Sequence, residues 1–197
     1  PECGFEMRLR VRAAKVVPAG SNLADRVHRL RFTVERHALR HLVQRAELIG
    51  VPGIAGDAEI LVMAAEILKL LELPAALHIG SSALIHLAAE GLSPREAKSF
   101  FKAVALRDRE AMEELIAGRS DRSKLLELLT FIGTPQEFHA SVSGLGEGLA
   151  EEFQASLREL DEIARLLMEQ SPEIDLRIDL SETGSQAYHT GMVFQAY

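Results

Sequence analysis

Apolar residues recur at helical spacing most regularly between residues 149 and 168. There Phe153, Leu157, Leu160, Ile163, Ala164 and Leu167 form one stripe, and acidic residues fill the other side. Such a stripe predicts a long helix laid against a core. Ile60, Met63, Ala64, Ile67, Leu68 and Leu71 repeat the pattern, with Asp57 as the expected N-cap and Pro74 as the expected stop. Ser93-Pro94-Arg95-Glu96 has the grammar of a helix start: a capping Ser, Pro at the first helical position and Glu at the third. Phe100, Phe101, Val104 and Leu106 give the helix behind it an apolar side. A further helix is expected over 109–116, ending near Gly118. Another is capped by Ser120 or Asp121, encloses Leu125, Leu126, Leu128 and Leu129, and is broken by Gly133-Thr134-Pro135.

Towards both ends the period changes. Residues 40–50 read as a strand closed by the turn Val51-Pro52-Gly53, and 75–79 as a short buried strand stopped by Gly80. Ile174, Leu176 and Ile178 alternate with Asp175, Arg177 and Asp179, the pattern of a half-buried strand with its acids on the wet face. After a turn at Gly184-Ser185, residues 188–197 read as a second strand, forming a hairpin or neighbouring pair with the first. The chain shows no internal repeat. The expected class is therefore α+β: a mixed or antiparallel sheet built from both ends, with a helical insertion over about 92–170.

Composition adds limits. The 197 residues suffice for a domain with a real core, and 47% hydrophobic with 26% charged residues is the balance of a globular protein. No apolar run approaches the roughly 18 residues of a membrane span, and the first residues do not resemble a signal peptide. The single cysteine, Cys3, forms no internal disulfide, which points to a reducing cytoplasm. With no Trp and 5% aromatics, a base-stacking surface is not expected. Charge is uneven. Residues 1–45 hold ten Lys and Arg against four Asp and Glu, and residues 46–197 hold twelve against twenty-five. A basic arm can bind nucleic acid. Here Arg8, Arg10 and Arg12 alternate with Leu9 and Val11 as on a half-exposed strand, so no nucleic-acid partner is assigned. Residues 1–39 are set apart as a basic N-terminal segment, and 40–197 as the domain.

Little chemistry is written in the chain. There is no phosphate-binding GxxxxGK[ST] or GxGxxG loop. Gly144-Leu145-Gly146-Glu147-Gly148 reads as a flexible link before the long helix. The seven histidines, His28, His37, His41, His78, His86, His139 and His189, form no HExxH. His37 and His41 sit four apart without an acidic third ligand, so no metal is expected. Cys3 is a poor nucleophile candidate, and no catalytic residue is assigned. The unusual text is Tyr188-His189-Thr190-Gly191. It is either a strand edge whose Gly permits a close approach, or a small polar pocket whose Gly lets a ligand reach the backbone. On a strand, Tyr188 and His189 point to opposite faces.

Asp179-Leu180, seven residues, then YHTGMVFQAY resembles the strand of histidyl-tRNA synthetases and of their regulatory paralog, the regulatory subunit of ATP phosphoribosyltransferase. The Tyr-His-Thr-Gly form is more similar to the regulatory paralog. Ala46-Glu47-Leu48-Ile49-Gly50 resembles the end of class II motif 2, Asp57-Ala58-Glu59 the start of the next family helix, and residues 75–84 (ALHIGSSALI) the strand and turn that follow. The resemblance covers about residues 40–197. It implies an incomplete class II aminoacyl-tRNA synthetase-like fold, since motif 1 and the closing Gly-Gly-Arg-Tyr-Asp strand are absent from the sequence. Ser81 and Ala83 stand where the family strand–turn has His and Gly, and Gly184 and Ser185 where the synthetase strand has Arg-Gly. A glycine cannot replace a guanidinium that stabilises developing charge, which counts against aminoacylation.

Carried over by position, Glu47, Tyr188, His189, Thr190 and Gly191 would line a histidine-like pocket, Glu47 holding an ammonium and His189 an imidazole. The implied role is a non-catalytic regulatory subunit without a cofactor. Its implied partner is the short-form ATP phosphoribosyltransferase catalytic subunit, which it would activate as a cytoplasmic hetero-oligomer while helping transmit feedback by histidine. The alternatives are a histidyl-tRNA synthetase fragment, which would need ATP, magnesium and transfer RNA, and a truncated inactive paralog.

Overall fold

The computed structural model describes residues 31–37, 41–47, 53–70, 72, 74–183 and 191–197, with the backbone alone for the first two stretches. The readings made for Arg8 to Arg12, Cys3, the turn at Val51-Pro52, Leu71, Gly184-Ser185 and Tyr188-His189-Thr190 lie outside the described residues. Chain contacts divide the molecule into two compact units. The first draws on Pro1–Leu77, Leu166–Asp175 and Gln195–Tyr197; the second is built from His78–Arg165 and Leu176–Phe194.

Two strands, β1 (Arg31–His37) and β2 (His41–Glu47), pair antiparallel with Arg31 opposite Glu47 and His37 opposite His41. Helix α1 (Ile54–Leu70) begins three residues before the expected cap. Its first turn is set by Gly53, which takes φ +77° and whose carbonyl accepts from Gly56 N (2.9 Å) and Asp57 N (3.2 Å). Asp57 therefore sits inside the first turn, where its charge still suits the helix N-terminus. Ile60, Leu61, Ala64 and Leu68 are buried.

Strand β3 (Ala76–Ser81) leads into α2 (Ser82–Ala88). It does not stop at Gly80; the glycine is an interior strand residue, required by a close backbone approach described below. Then follow α3 (Pro94–Ala105), α4 (Arg109–Leu115), α5 (Arg122–Leu129), the two-residue strand β4 (Ile132–Gly133), α6 (Pro135–Gly146), α7 (Glu151–Gln170), β5 (Asp175–Asp179) and β6 (Met192–Ala196). The larger sheet runs β4-β5-β3-β6, so β5 and β6 are not the neighbours that alternation implied: β3 lies between them. β4 is antiparallel to β5. Ala76 exchanges both backbone bonds with Tyr197, and Ser82 N donates to Gly191 O, so β3 and β6 are antiparallel too. Gly80 packs on Asp179, while Ala76 and Asp175 line one cavity, so β3 and β5 run in the same direction and the sheet is mixed.

Two helices start from the same device. Ser93 N donates to the Glu96 carboxylate (2.9 Å) and Ser93 Oγ accepts from Glu96 N (3.4 Å). Thr134 and Glu137 repeat the reciprocal pair at 2.7 and 3.2 Å. Gly133-Thr134-Pro135 thus does more than end α5: it starts a helix that the glycine-rich end of α6 concealed. Both boxes bury little, but their donors hold the Glu96 and Glu137 carboxyls below the ordinary value. For Glu96 the Ser93 side chain is the larger cause; for Glu137 it is the Thr134 backbone N–H. A depressed carboxylate stabilises the fold above its unfolded pKa, and that stability is lost as pH falls through the folded one. The double variant Ser93→Ala, Thr134→Ala is thus expected to be less stable than the parent at pH 7, by about 1 kcal/mol for each lost N-cap. The gap should shrink as the carboxyls protonate. Urea midpoints at pH 7 and at about pH 3 check it; a gap independent of pH refutes the link to the two carboxylates.

Asp121 precedes α5 but its carboxylate does not cap it. The Arg119 guanidinium takes both oxygens at 2.8 Å, which lowers the Asp121 pKa. The same guanidinium reaches the carbonyls of Leu87, Ala88 and Glu90 at 3.4–3.5 Å, closing the end of α2.

Candidate functional site

The second unit gathers its polar groups at the end of β5. Alternation put Asp179 on the wet face, yet its relative exposure is 0%. A carboxylate out of water is tolerated only when paired and hydrogen-bonded. Oδ1 accepts from Ser181 N (3.1 Å) and Ser181 Oγ (2.6 Å), an Asx-type turn that bends the chain as it leaves the strand. Oδ2 faces the Arg107 guanidinium, an ion pair to a side chain half-exposed to solvent, and His78 Nδ1 at 3.5 Å.

Arg107 reaches this carboxylate from a strained position. It stands just past the end of α3 with φ +55°, the left-handed region that glycine normally takes. Arg107 N donates to Val104 O and Asp108 N to Ala103 O, both at 2.9 Å, the paired bonds of a Schellman ending. Asp108 then accepts from Ala111 N (3.0 Å) and caps α4. A side chain in this conformation costs about 1 kcal/mol relative to glycine. The guanidinium contact to Asp179 offsets that cost.

On the other side of Asp179 the backbones of β3 and β5 touch. A Cβ on Gly80 would overlap the Asp179 carbonyl and stand 3.1 Å from the Glu182 Cβ. One strand pairing further, at the junction of β3 and α2, Ser82 N (3.0 Å) and Ser82 Oγ (2.9 Å) both donate to the Gly191 carbonyl. Gly191 is itself exposed, and no described atom lies within 4 Å of the place a Cβ would occupy.

Of the five residues expected to line a pocket, Gly191 is thus anchored at the β3–α2 junction. Glu47 closes β2 in the first unit, opposite Arg31. Tyr188, His189 and Thr190 lie outside the described residues. Sequence reading missed Arg107, His78, Ser82 and the burial of Asp179. The signal it had was the Asp-x-Ser spacing of an Asx turn; nothing local connects Arg107 to a residue 72 positions later. No group of His, Cys, Asp and Glu that would hold a metal occurs among the described residues. No described helix is long and apolar enough to cross a membrane. The first unit holds a separate cavity of about 430 Å³ bordered by Leu68, Lys69, Pro74, Ser171, Glu173 and Ile174, none of them an expected site residue.

Comparison with known proteins gives these features a context. The histidyl-tRNA synthetase family model matches residues 10–197. The ATP phosphoribosyltransferase regulatory subunit of Azoarcus sp. (strain BH72) is 30% identical over 157 residues, which is 77% of this chain and 39% of that protein. The chain spans about two-fifths of the length of curated relatives such as this one. Among solved structures, an ATP phosphoribosyltransferase regulatory subunit/histidyl-tRNA synthetase from Bacillus halodurans aligns with a TM-score of 0.62 at 21% identity, over 76% of this chain and 41% of that one. A chain of the ATP phosphoribosyl transferase (HisG:HisZ) complex from Thermotoga maritima aligns at 0.57 and 16% identity, over 85% of this chain and 61% of that one. These likenesses identify the fold as α+β and class II histidyl-tRNA synthetase-like.

Proposed function

The chain belongs to the histidyl-tRNA synthetase family, and from that premise we propose that it acts as a non-catalytic regulatory subunit of ATP phosphoribosyltransferase in histidine biosynthesis. The observation that carries this reading is the 30% identity to a protein named as that subunit over 77% of the chain. Gly184 and Ser185, in place of the synthetase Arg-Gly, support it from the sequence. Its partner is the short-form catalytic subunit in the cytoplasm. The solved HisG:HisZ complex, one chain of which shares this fold, supports a hetero-oligomer. Histidine is held by Glu47, Tyr188, His189, Thr190 and Gly191, and the absence of any described atom within 4 Å of the place a Cβ on Gly191 would occupy supports a ligand reaching the backbone there. Feedback then requires that histidine bind two states of the complex with different affinity.

The test mixes this chain with a short-form catalytic subunit and follows condensation of ATP with phosphoribosyl pyrophosphate, alongside calorimetric titration with histidine. Co-elution, a rise in rate and histidine binding lost in Glu47→Ala and His189→Ala are expected. Unchanged histidine affinity in both variants removes the pocket. Histidine-dependent exchange of pyrophosphate into ATP by the chain alone replaces the regulatory reading with the synthetase one.

A further inference from the structure

We infer that the cavity of the first unit is a second ligand site, one that takes a small molecule with an aliphatic body and a primary ammonium head. The inference does not depend on the histidine-like pocket. The cavity lies where α1 ends and where β3 and β5 begin, bordered by Ala76 and Asp175, the first residues of those two strands. Ser82, which holds Gly191, follows the other end of β3. At about 430 Å³ the cavity has the volume of a small-molecule site. Its body is apolar: Ala65 and Leu68 of α1 are buried, and Pro74 and Ile174 join them in the wall. Such a wall takes an alkyl chain by removing it from water.

Two observations separate this cavity from a packing defect. The first is Ser171, which borders it. The residue is 1% exposed, and among the described residues its hydroxyl meets no hydrogen-bond partner. Its backbone is committed elsewhere. Ser171 N donates to Leu167 O at 2.8 Å, closing α7, and Ser171 O accepts from Ile174 N at 3.2 Å, turning the chain into β5. Neither bond uses the hydroxyl. Alanine would make the same turn without the cost of a buried hydroxyl left unpaired. A serine has a use there if a molecule in the cavity supplies the partner. The second observation is charge. Lys69 Nζ meets Glu173 Oε1 at 2.7 Å, and Asp175 adds another carboxylate, so the described lining holds two acids and one base. That surplus attracts a cationic head and opposes an anionic one. An ammonium donates to the Ser171 hydroxyl and carries the charge that the two acids favour.

The probes are hexylamine, 1-hexanol and hexanoate, which share an alkyl body and differ in the head. Each is titrated at pH 7 into the full chain, labelled with nitrogen-15, and the amide shifts are followed. Hexylamine should move the amides of Leu68, Ala76, Ser171 and Ile174 together, and should bind about tenfold more tightly than hexanoate, the discrimination expected from one surplus charge near solvent. Hexanol should fall between them. Ser171→Ala should bind hexylamine about fivefold more weakly, the worth of one hydrogen bond. It should be no less stable to urea than the parent, because no described group in the fold uses the hydroxyl. Glu173→Gln removes one of the two acids and should narrow the gap between amine and carboxylate. The inference is overturned if hexylamine does not bind, if its shifts miss Ser171 and Ile174, or if the three probes bind alike, which marks a merely apolar surface. It is equally overturned if Ser171→Ala binds hexylamine as the parent does, or if that variant loses stability, because the hydroxyl then serves the fold.

Discussion

Replacing Asp179 with alanine is expected to cost the fold about 3 kcal/mol, mostly through the groups it leaves behind. Ser181 is 6% exposed, so its backbone N–H and hydroxyl lose their shared acceptor in a place water does not easily enter. Each orphaned buried donor costs roughly 1–3 kcal/mol. The half-exposed Arg107 head group, by contrast, turns to solvent at little cost, since exposed ion pairs contribute at most about 1 kcal/mol. Asp179→Asn is the informative control. Its side-chain carbonyl still accepts from Ser181, while the charge opposite Arg107 is gone. The Asn variant should therefore lose clearly less than the Ala variant. Urea denaturation with unchanged m-values gives both numbers. Equal losses mean that the ion pair, and not the Asx turn, dominates; a loss below about 0.5 kcal/mol in Asp179→Ala, the level of an ordinary surface change, means that the carboxylate is not the buried keystone its geometry indicates.

How far this was readable in the sequence depended on how local each cause is. The stripe from Phe153 to Leu167 named its helix because burial of one face repeats every turn, and all six of its residues are buried. Ser93-Pro94-Arg95-Glu96 named a helix start because a capping box is complete within four residues. Thr134-Pro135-Gln136-Glu137 carries the same grammar, but Gly133 before it and the glycines at the end of α6 drew the reading towards a break. Leu106 shows the opposite failure. It reads as part of the apolar side with Phe100, Phe101 and Val104, yet α3 has ended there and the side chain is 66% exposed. Partners in the sheet were hidden for a deeper reason: alternation fixes which side chains share a face, not which strand lies alongside. β3 therefore enters between β5 and β6 without any mark in either. Asp179 combines both limits. It keeps the period of its strand, but the face it points to is covered by a turn 72 residues earlier, and only the fold brings the two together. Of the pocket residues, the resemblance supplied the list, and the structure adds the anchoring of Gly191 and the fixed exit of β5.

Gly80→Ala is expected to be about as damaging, about 3 kcal/mol, for a reason that involves no polar group. The added methyl would overlap the Asp179 carbonyl and lie 3.1 Å from Glu182 Cβ and 3.4 Å from Glu182 O. None of these atoms is the far end of a flexible side chain. The carbonyl already accepts from Glu182 N at 3.1 Å, and Leu180 N donates to Phe131 O at 3.1 Å, so β5 is held from its other flank. Relief must come from separating β3 from β5, and overpacking of that kind typically costs 1–3 kcal/mol or somewhat more. Two other glycines calibrate the figure. At Gly118 no described atom lies within 4 Å of the place a Cβ would occupy and φ is not positive, so alanine there should be neutral or stabilise by about 0.5 kcal/mol. At Gly91 space is equally open but φ is +85°, so alanine should cost about 1 kcal/mol from backbone strain alone. Gly80 has neither open space nor positive φ, and only steric overlap separates it from Gly118. The order Gly80 worst, Gly91 intermediate and Gly118 harmless in urea midpoints tests the contact directly. If Gly80→Ala behaved like Gly118→Ala, the close approach of β3 to β5 would be wrong, and with it the footing on which Asp179 meets Arg107.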